Sequence, residues 1–286
     1  MILDVHADIV HGKKQQVLLD VARGAYAAGM KVNITTASNV DKNNYSLLWR
    51  HPNKGELVLE NIINVKGRDK IFFLNNNYFN NYICKNNYRR LTYRSIYDNE
   101  ATYPNKNEED AKSFYEDHKL DLKPWNRDGT HVVIFPNNSR TFGSHGQNVE
   151  DWLFENIESC LHHGIENIVV KYHPTEHKDL VCQQHKNKVI VDNSNIFDLI
   201  KKYNLKFALI YNSGAATVCL LEGIPTFIQG PNNLARKFSN MESWDDVKNI
   251  NYDIDRSEYI KEASEKLWLF DDIKQGKAWN RLLEKL

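Results

Sequence analysis

Residues 207 to 231 read FALIYNSGAATVCLLEGIPTFIQGP: an apolar run of strand length, a turn of small residues, an apolar helical run closed by Gly223, and a second apolar strand. Strands that are apolar on both faces belong to a parallel sheet covered by helices on each side, and consecutive parallel strands need a crossover helix between them. One such stretch therefore commits the chain to α/β packing. The turn itself admits two uses. A helix start offers unpaired N–H groups and a partial positive charge, so Ser213, Gly214 and Ala215 can hold a phosphate against the backbone. The plainer use is a Ser213 cap and a glycine that relaxes the turn.

The same alternation runs along most of the chain. MILDVHADI reads as a strand, KKQQVLLDVARGAYAAG as an amphipathic helix ended by Gly29, and KVNITTA as a second strand. ELVLENIINVKG reads as a helix closed by Gly67, followed by the buried strand DKIFFLNN. Periodicity is then lost in a stretch rich in Asn, Tyr and Arg and in the charged run up to Pro124, which predicts a domain boundary there. A fresh series follows: THVVIFP, the helix VEDWLFENIESCLHHG, the strands NIVVKYHP and KVIVD, the helix IFDLIKKYN, and the stretch from 207 onward. The expected organisation is an α/β domain over 1–123 and a second over 124–286 that includes the terminal helices.

Composition excludes several classes. Lys plus Arg and Asp plus Glu both number 37 in 286 residues, so no whole-chain field draws the protein to nucleic acid or an anionic membrane. No apolar run is long enough for a membrane span, and the charges at Asp4 and Asp8 argue against a signal peptide, which predicts a cytoplasmic protein. Cys84, Cys160, Cys182 and Cys219 are scattered without a CxxC pair, against a disulfide framework or thiolate zinc site, and Cys160 and Cys219 fall on core positions.

KYHP at a strand exit, IYNSGAATVCLLEGIPTFIQGP one βαβ unit later, and the terminal LWLFDDIKQGKAWNRLL resemble a group of glycosyltransferases encoded by tailed phages and other viruses. More distantly, the His-Pro pair and the Ser-containing turn resemble capsule-type sialyl and Kdo transferases. The resemblance covers 124–286 and, loosely through FLNNNYF and YRRLTYRSIY, the first half. It implies two facing Rossmann-like domains, the GT-B arrangement, and a nucleotide-diphosphate sugar as donor, with no essential metal or cofactor and, for a phage-encoded chain, the host cytoplasm as its place. It also implies that Glu222 faces the nucleoside ribose, the alternative being a solvated glutamate before Gly223.

The residues at strand exits can be read for chemistry beside that resemblance. In an open α/β sheet ligands bind at the carboxyl ends of the strands, where the loops PNNSRTFGSHG, YHPTEH, DNSNI and YNSGAAT would gather. Arg140 can fork onto a diphosphate, His173 can donate to it, and the backbone at Ser213, Gly214 and Ala215 can hold the same group. HPTEH also matches an inverted zinc-protease spacing, and Asp253 with Asp255 matches an Asp-x-Asp metal pair. The first would need both histidines on one face of a helix beginning at Pro174, and the second lies in a charged region, so neither is preferred.

Transfer to a hydroxyl needs a group to take its proton, and HADIVHGKK after the first strand offers Asp8, His6 and His11, with Asp8 the first choice and a helix cap its alternative. Tyr88, Arg89, Arg90 and Arg94 interleave aromatic and basic side chains as phosphate and base contacts do, or else belong to a packed loop. The function these readings predict is sugar transfer from a nucleotide sugar to a hydroxyl. One candidate acceptor is a hydroxymethylated pyrimidine in double-stranded phage DNA, reached by extruding the base. A surface saccharide is the alternative acceptor, and a non-catalytic nucleotide- or saccharide-binding protein the alternative class.

Overall fold

The computed structural model describes residues 1–10, 12–36, 38–49, 56–79, 82, 88–95, 100–106, 118, 120–143, 145–173, 182 and 184–286, with the backbone alone at 9, 56–59 and 140. His11 lies outside the described residues. The chain divides into two compact units, residues 1–119 with 260–286, and residues 120–259. The second domain expected over 124–286 ends earlier than its sequence suggests: the last 27 residues complete the first unit.

In the first unit β1 (Ile2–His6), β2 (Lys31–Thr35), β3 (Tyr45–Trp49) and β4 (Ile71–Asn76) are parallel, joined in part by α1 (Lys13–Ala27) and α2 (Glu56–Lys66). β5 (Tyr88–Tyr93) runs antiparallel to β4, and β11 (Trp268–Leu269) antiparallel to β5. The sheet order is β11-β5-β4-β3-β1-β2. Along the parallel strands the order reverses between β1 and β3, so the carboxyl ends of those two strands form the switch point where an open sheet leaves a ligand crevice. Leu3, Val5, Leu47, Phe72, Leu74 and Leu91 form a core with α1 and with the terminal helices α8 (Phe270–Lys274) and α9 (Lys277–Leu283), through Ile273, Trp279 and Leu282. Trp279 meets Phe72 edge-on at 4.9 Å and donates its indole N–H to Val21 O at 3.0 Å.

The second unit is a parallel sheet of order β10-β9-β6-β7-β8, made by β6 (His131–Phe135), β7 (Ile168–Val170), β8 (Val189–Val191), β9 (Leu205–Ile210) and β10 (Thr226–Ile228). Numbered within the unit this is 3-2-1-4-5, the doubly wound nucleotide-binding order, with its switch point between β6 and β9. The helices are α3 (Ser139–Gly143), α4 (Val149–His162), α5 (Ile196–Lys202) and α6 (Ala215–Leu221), with α7 (Arg256–Glu265) leading from one unit to the other. The segment entering this unit is tied down. Lys123 N donates to Leu221 O at 3.0 Å and Asn126 N to Gly223 O at 2.7 Å. The Arg256 guanidinium bridges Leu220 O and Lys123 O, both at 2.7 Å, while lying 3.9 Å over the Trp125 ring. Gly223 has φ of 74°, and a Cβ there would come within 2.0 Å of Pro124 O, so only glycine closes α6 at this point.

The α/β class and the two Rossmann-like units expected from the sequence are those observed. Among the described residues no helix is long and apolar enough to cross a membrane. Cys160 and Cys219 are buried as expected, and burial pushes the Cys160 thiol up to about 12.

Candidate functional site

The second unit brings several expected donor-side residues to one edge of its sheet. His173 is half-buried three residues past β7. Ser213 and Gly214 follow β9 at the switch point, and Arg140, of which the backbone is described, lies in α3 just past β6. Between them the edge carries aromatic packing: Phe142 stacks on Tyr211 at 4.0 Å, and Trp152 and His145 meet the same tyrosine edge-on at 5.8 and 5.9 Å.

At the turn the capping use is the one seen. Ser213 Oγ accepts the Ala215 N–H at 3.2 Å, and Ser213 O accepts both the Ala216 N–H at 3.2 Å and the Asn233 amide at 3.2 Å. Two amides that an anion would use at α6 are thus satisfied within the turn. Gly214 keeps open space beside it, since a Cβ there would meet nothing within 4 Å.

Glu222 is not brought to this edge. It ends α6, which runs back across the sheet, and the neighbouring Gly223 O is bonded by Asn126, whose side chain also donates to Leu205 O at the first residue of β9. Glu222 therefore stands at the amino edge, opposite Ser213 and His173, and pairs there with Lys123. The ribose role inferred for it is corrected on that geometry.

Two residues at the carboxyl edge were missed in the sequence. Lys171 follows β7 directly, donates to Asn193 O at 3.3 Å, and has its pKa lowered by burial. His145 is kept toward its neutral form by burial. Both lie in loops already picked out as strand exits, and position alone could have named them. Asp192, past β8, is committed to structure: Lys202 at 2.7 Å, with the Ser194 N–H and Tyr203 hydroxyl, holds its carboxyl well below the usual range.

In the first unit Asp8 sits half-buried in the 3-10 turn Ala7–Ile9 at the exit of β1, at the switch point. Helix α1 has Gly12 at its N-cap and no side-chain cap, so Asp8 is not its cap. His6 is fully buried, its Nε2 2.9 Å from Ser46 Oγ and its Nδ1 3.3 Å from Thr36 O, and burial first, then the Lys66 charge, lowers its pKa. That ring is a neutral core group out of reach of an acceptor.

The basic and aromatic stretch is not a surface. Tyr88, Arg89 and Arg90 lie in β5 at 4, 6 and 5% exposure. Arg90 Nε donates to Asn76 O at 2.8 Å with its guanidinium 4.2 Å over the Tyr78 ring, and Arg89 donates to Tyr88 O at 3.2 Å. Arg94 alone is half-exposed, paired with Asp69 at 2.8 Å. The expected nucleic-acid face is corrected accordingly.

Of the HPTEH stretch only His173 is among the described residues. Asp255 caps α7 by accepting from Ser257 N at 2.8 Å, which accounts for one half of the Asp-x-Asp pair. Among the described residues no group of three or more His, Cys, Asp or Glu could hold a metal ion.

No protein-family model matches this chain, and no curated protein matches it in sequence. Solved structures do match. The Thermosulfurimonas dismutans KpsC structure titled beta Kdo 2,7 transferase is 12% identical with a TM-score of 0.59, covering 100% of this chain and 99% of that one. The KpsC structure titled beta Kdo 2,4 transferase is 11% identical with a TM-score of 0.50, covering 93% and 90%. At such identities the likeness is one of fold, and the fold it shows is GT-B-like.

Proposed function

We propose that the chain is a glycosyltransferase that moves a sugar from a nucleotide-sugar donor to a hydroxyl acceptor, with no essential metal or cofactor. The observation that carries this reading is the 3-2-1-4-5 order of the second sheet, with His173, Ser213, Gly214 and the Arg140 loop at its switch-point edge, where this topology takes nucleotides. The donor diphosphate would meet His173, the Arg140 segment and the open backbone at Gly214, with Lys171 adding positive charge nearby. Asp8 takes the acceptor proton, since it is at the other sheet's switch point and His6 is enclosed. The full-length fold likeness to proteins titled Kdo transferases supports sugar transfer and makes an activated Kdo one donor to include.

A saccharide acceptor is preferred. The DNA acceptor rested on an exposed arginine stripe, and Arg89 and Arg90 are buried. The test is to incubate the protein with a panel of nucleotide sugars, neutral and acidic oligosaccharides, and hydroxymethylated or unmodified DNA, before and after exhaustive chelation, and to weigh the products. The expected result is added sugar mass on an oligosaccharide, unchanged by chelator. Mass on a nucleoside would restore the DNA acceptor, loss with chelator would overturn the metal-free mechanism, and donor binding without any product would make this a binding protein.

A further inference from the structure

A cavity of about 390 Å³ opens beside the C-terminal helix of the first unit. Among the described residues its lining is Trp268, Lys277, Asn280, Arg281 and Glu284. The last four recur at intervals of three and four, so they form one face of α9 and its C-terminal cap. All four are exposed, whereas Trp268 in β11 is 3% exposed and belongs to the core, so the helix supplies the rim and the indole the floor. The volume falls within the roughly 300–1,000 Å³ of small-ligand sites. The sheet registers put the floor at the ligand edge. Trp268 lies opposite Arg89 in β5, and Arg89 opposite Asn76, the last residue of β4, so the three are level with the carboxyl end of β4. Asp8, just past β1, stands at the same edge, four strand spacings away or about 19 Å along the sheet.

The lining chemistry selects the ligand. Lys277 is 2.7 Å from Asp272 and Arg281 is 3.5 Å from Glu284, so each cation has a carboxylate beside it and the rim holds no surplus charge to draw an anion. Lys106 lies over the indole at 5.7 Å, a cation already engaged by the ring. The rim offers donors on Lys277, Arg281 and Asn280 together with acceptors on Asn280 and Glu284. Hydroxyls use both, since each can donate and accept; a phosphate or carboxylate can only accept and would be repelled by Glu284. The indole adds apolar surface, which suits the C–H face of a pyranose. We propose that this cavity is a saccharide subsite that holds a neutral sugar unit of the acceptor, several units away from the hydroxyl that reacts at Asp8. The acceptor is then an oligosaccharide and not a single sugar. The proposal deepens the transferase reading and rests on it for the word acceptor.

The probes are maltotetraose, cellotetraose and mannotetraose, with tetragalacturonate as their acidic counterpart, each followed on the full chain by saturation-transfer NMR. At least one neutral tetrasaccharide should bind, and the double variant Asn280→Ala with Arg281→Ala should weaken that binding at least tenfold. Both side chains are exposed and alanine is the better helix former, so the thermal midpoint should hold. Equal binding by wild type and variant, or no neutral binding by the wild type, would overturn the proposal; binding of tetragalacturonate alone would overturn it in favour of an anion site. Should the variant fail to fold, the backbone amide resonances of residues 277–284 in the wild type decide, since a sugar that leaves them unmoved is not in the cavity. Sugar binding needs neither donor nor turnover, so binding that the variant loses, without transfer in the product-mass test, would remove the transferase reading alone. Transfer with an equal acceptor KM in wild type and variant would remove this inference alone.

Discussion

Asp4 and Lys66 are both removed from water, at 4 and 0% side-chain exposure, and meet at 2.9 Å. The carboxylate also accepts from the amides of Asn33 at 3.3 Å and Asn44 at 3.1 Å, and the ammonium donates to Asn44 O at 3.1 Å. Desolvating two charges is repaid only while both are present, so Lys66→Met alone should cost about 3–5 kcal/mol in urea unfolding. Asp4→Leu with Lys66→Met should recover much of that, and a double variant no better than the single would show that the asparagines need the carboxylate. His6, in the same polar layer, gives a pH dependence. Its folded pKa lies below the unfolded value, so the unfolded state binds the extra proton; this contribution is whole above about pH 6.5 and is lost as pH falls through that value toward the folded pKa, at up to about 1.4 kcal/mol per pH unit. His6→Gln should flatten the fall in unfolding midpoint between pH 7 and 5 relative to wild type; an identical slope would mean other histidines carry it. At this scale the candidate site was half legible. Ser213, His173 and Asp8 stand at strand exits as their sequence context says, because strand ends are marked by composition. Glu222 was misplaced because a seven-residue helix is long enough to carry its last residue to the other edge of the sheet, a distance that a motif does not encode.

At the scale of elements, the strands and helices with regular apolar periodicity were readable, and among β1 to β10 two strands were not. β3, YSLLW, is set between polar stretches and shows neither alternation nor a long apolar run. β5, YRRLTY, is buried at all six positions, and its arginines looked like surface because the groups that satisfy them, Asn76 O, Tyr88 O and the Tyr78 and Trp49 rings, are supplied by folding. Helix packing gives a sharp test. A Cβ on Gly24 would lie 1.8 Å from Ile273 O and 3.1 Å from the Trp279 ring, so α1 and α8 touch backbone to backbone. Gly24→Ala should therefore destabilise by about 1–3 kcal/mol or more, although alanine is the better helix former, because α8 must move away. A stability gain in thermal unfolding would show that the two helices are not in contact at this point.

On the scale of the whole molecule, the C-terminal 27 residues belong to the unit that the N-terminal 119 begin, so the first core is assembled from both ends of the chain. Trp279 enters this core together with Ile273 and Leu282. Trp279 is fully buried, bonded to Val21 O and set against Phe72, both more than two hundred residues earlier in sequence. The second core, built around Val132, Ile134, Phe207 and Leu209, draws on residues 132–250 and none from the C-terminal segment. Two cores fed by separate parts of the chain can unfold separately. Trp279→Ala should remove about 3–5 kcal/mol from the first unit. Hydrogen exchange read by peptide should then show faster opening in 2–27, 45–49 and 71–76, with protection in 131–135, 168–170 and 205–210 unchanged. Chain ending at residue 259 should show the same pattern in stronger form, with the second sheet still protected. Equal loss of protection in both sheets would mean that the molecule melts as one cooperative body, and the terminal segment would then be holding far more than the core it enters.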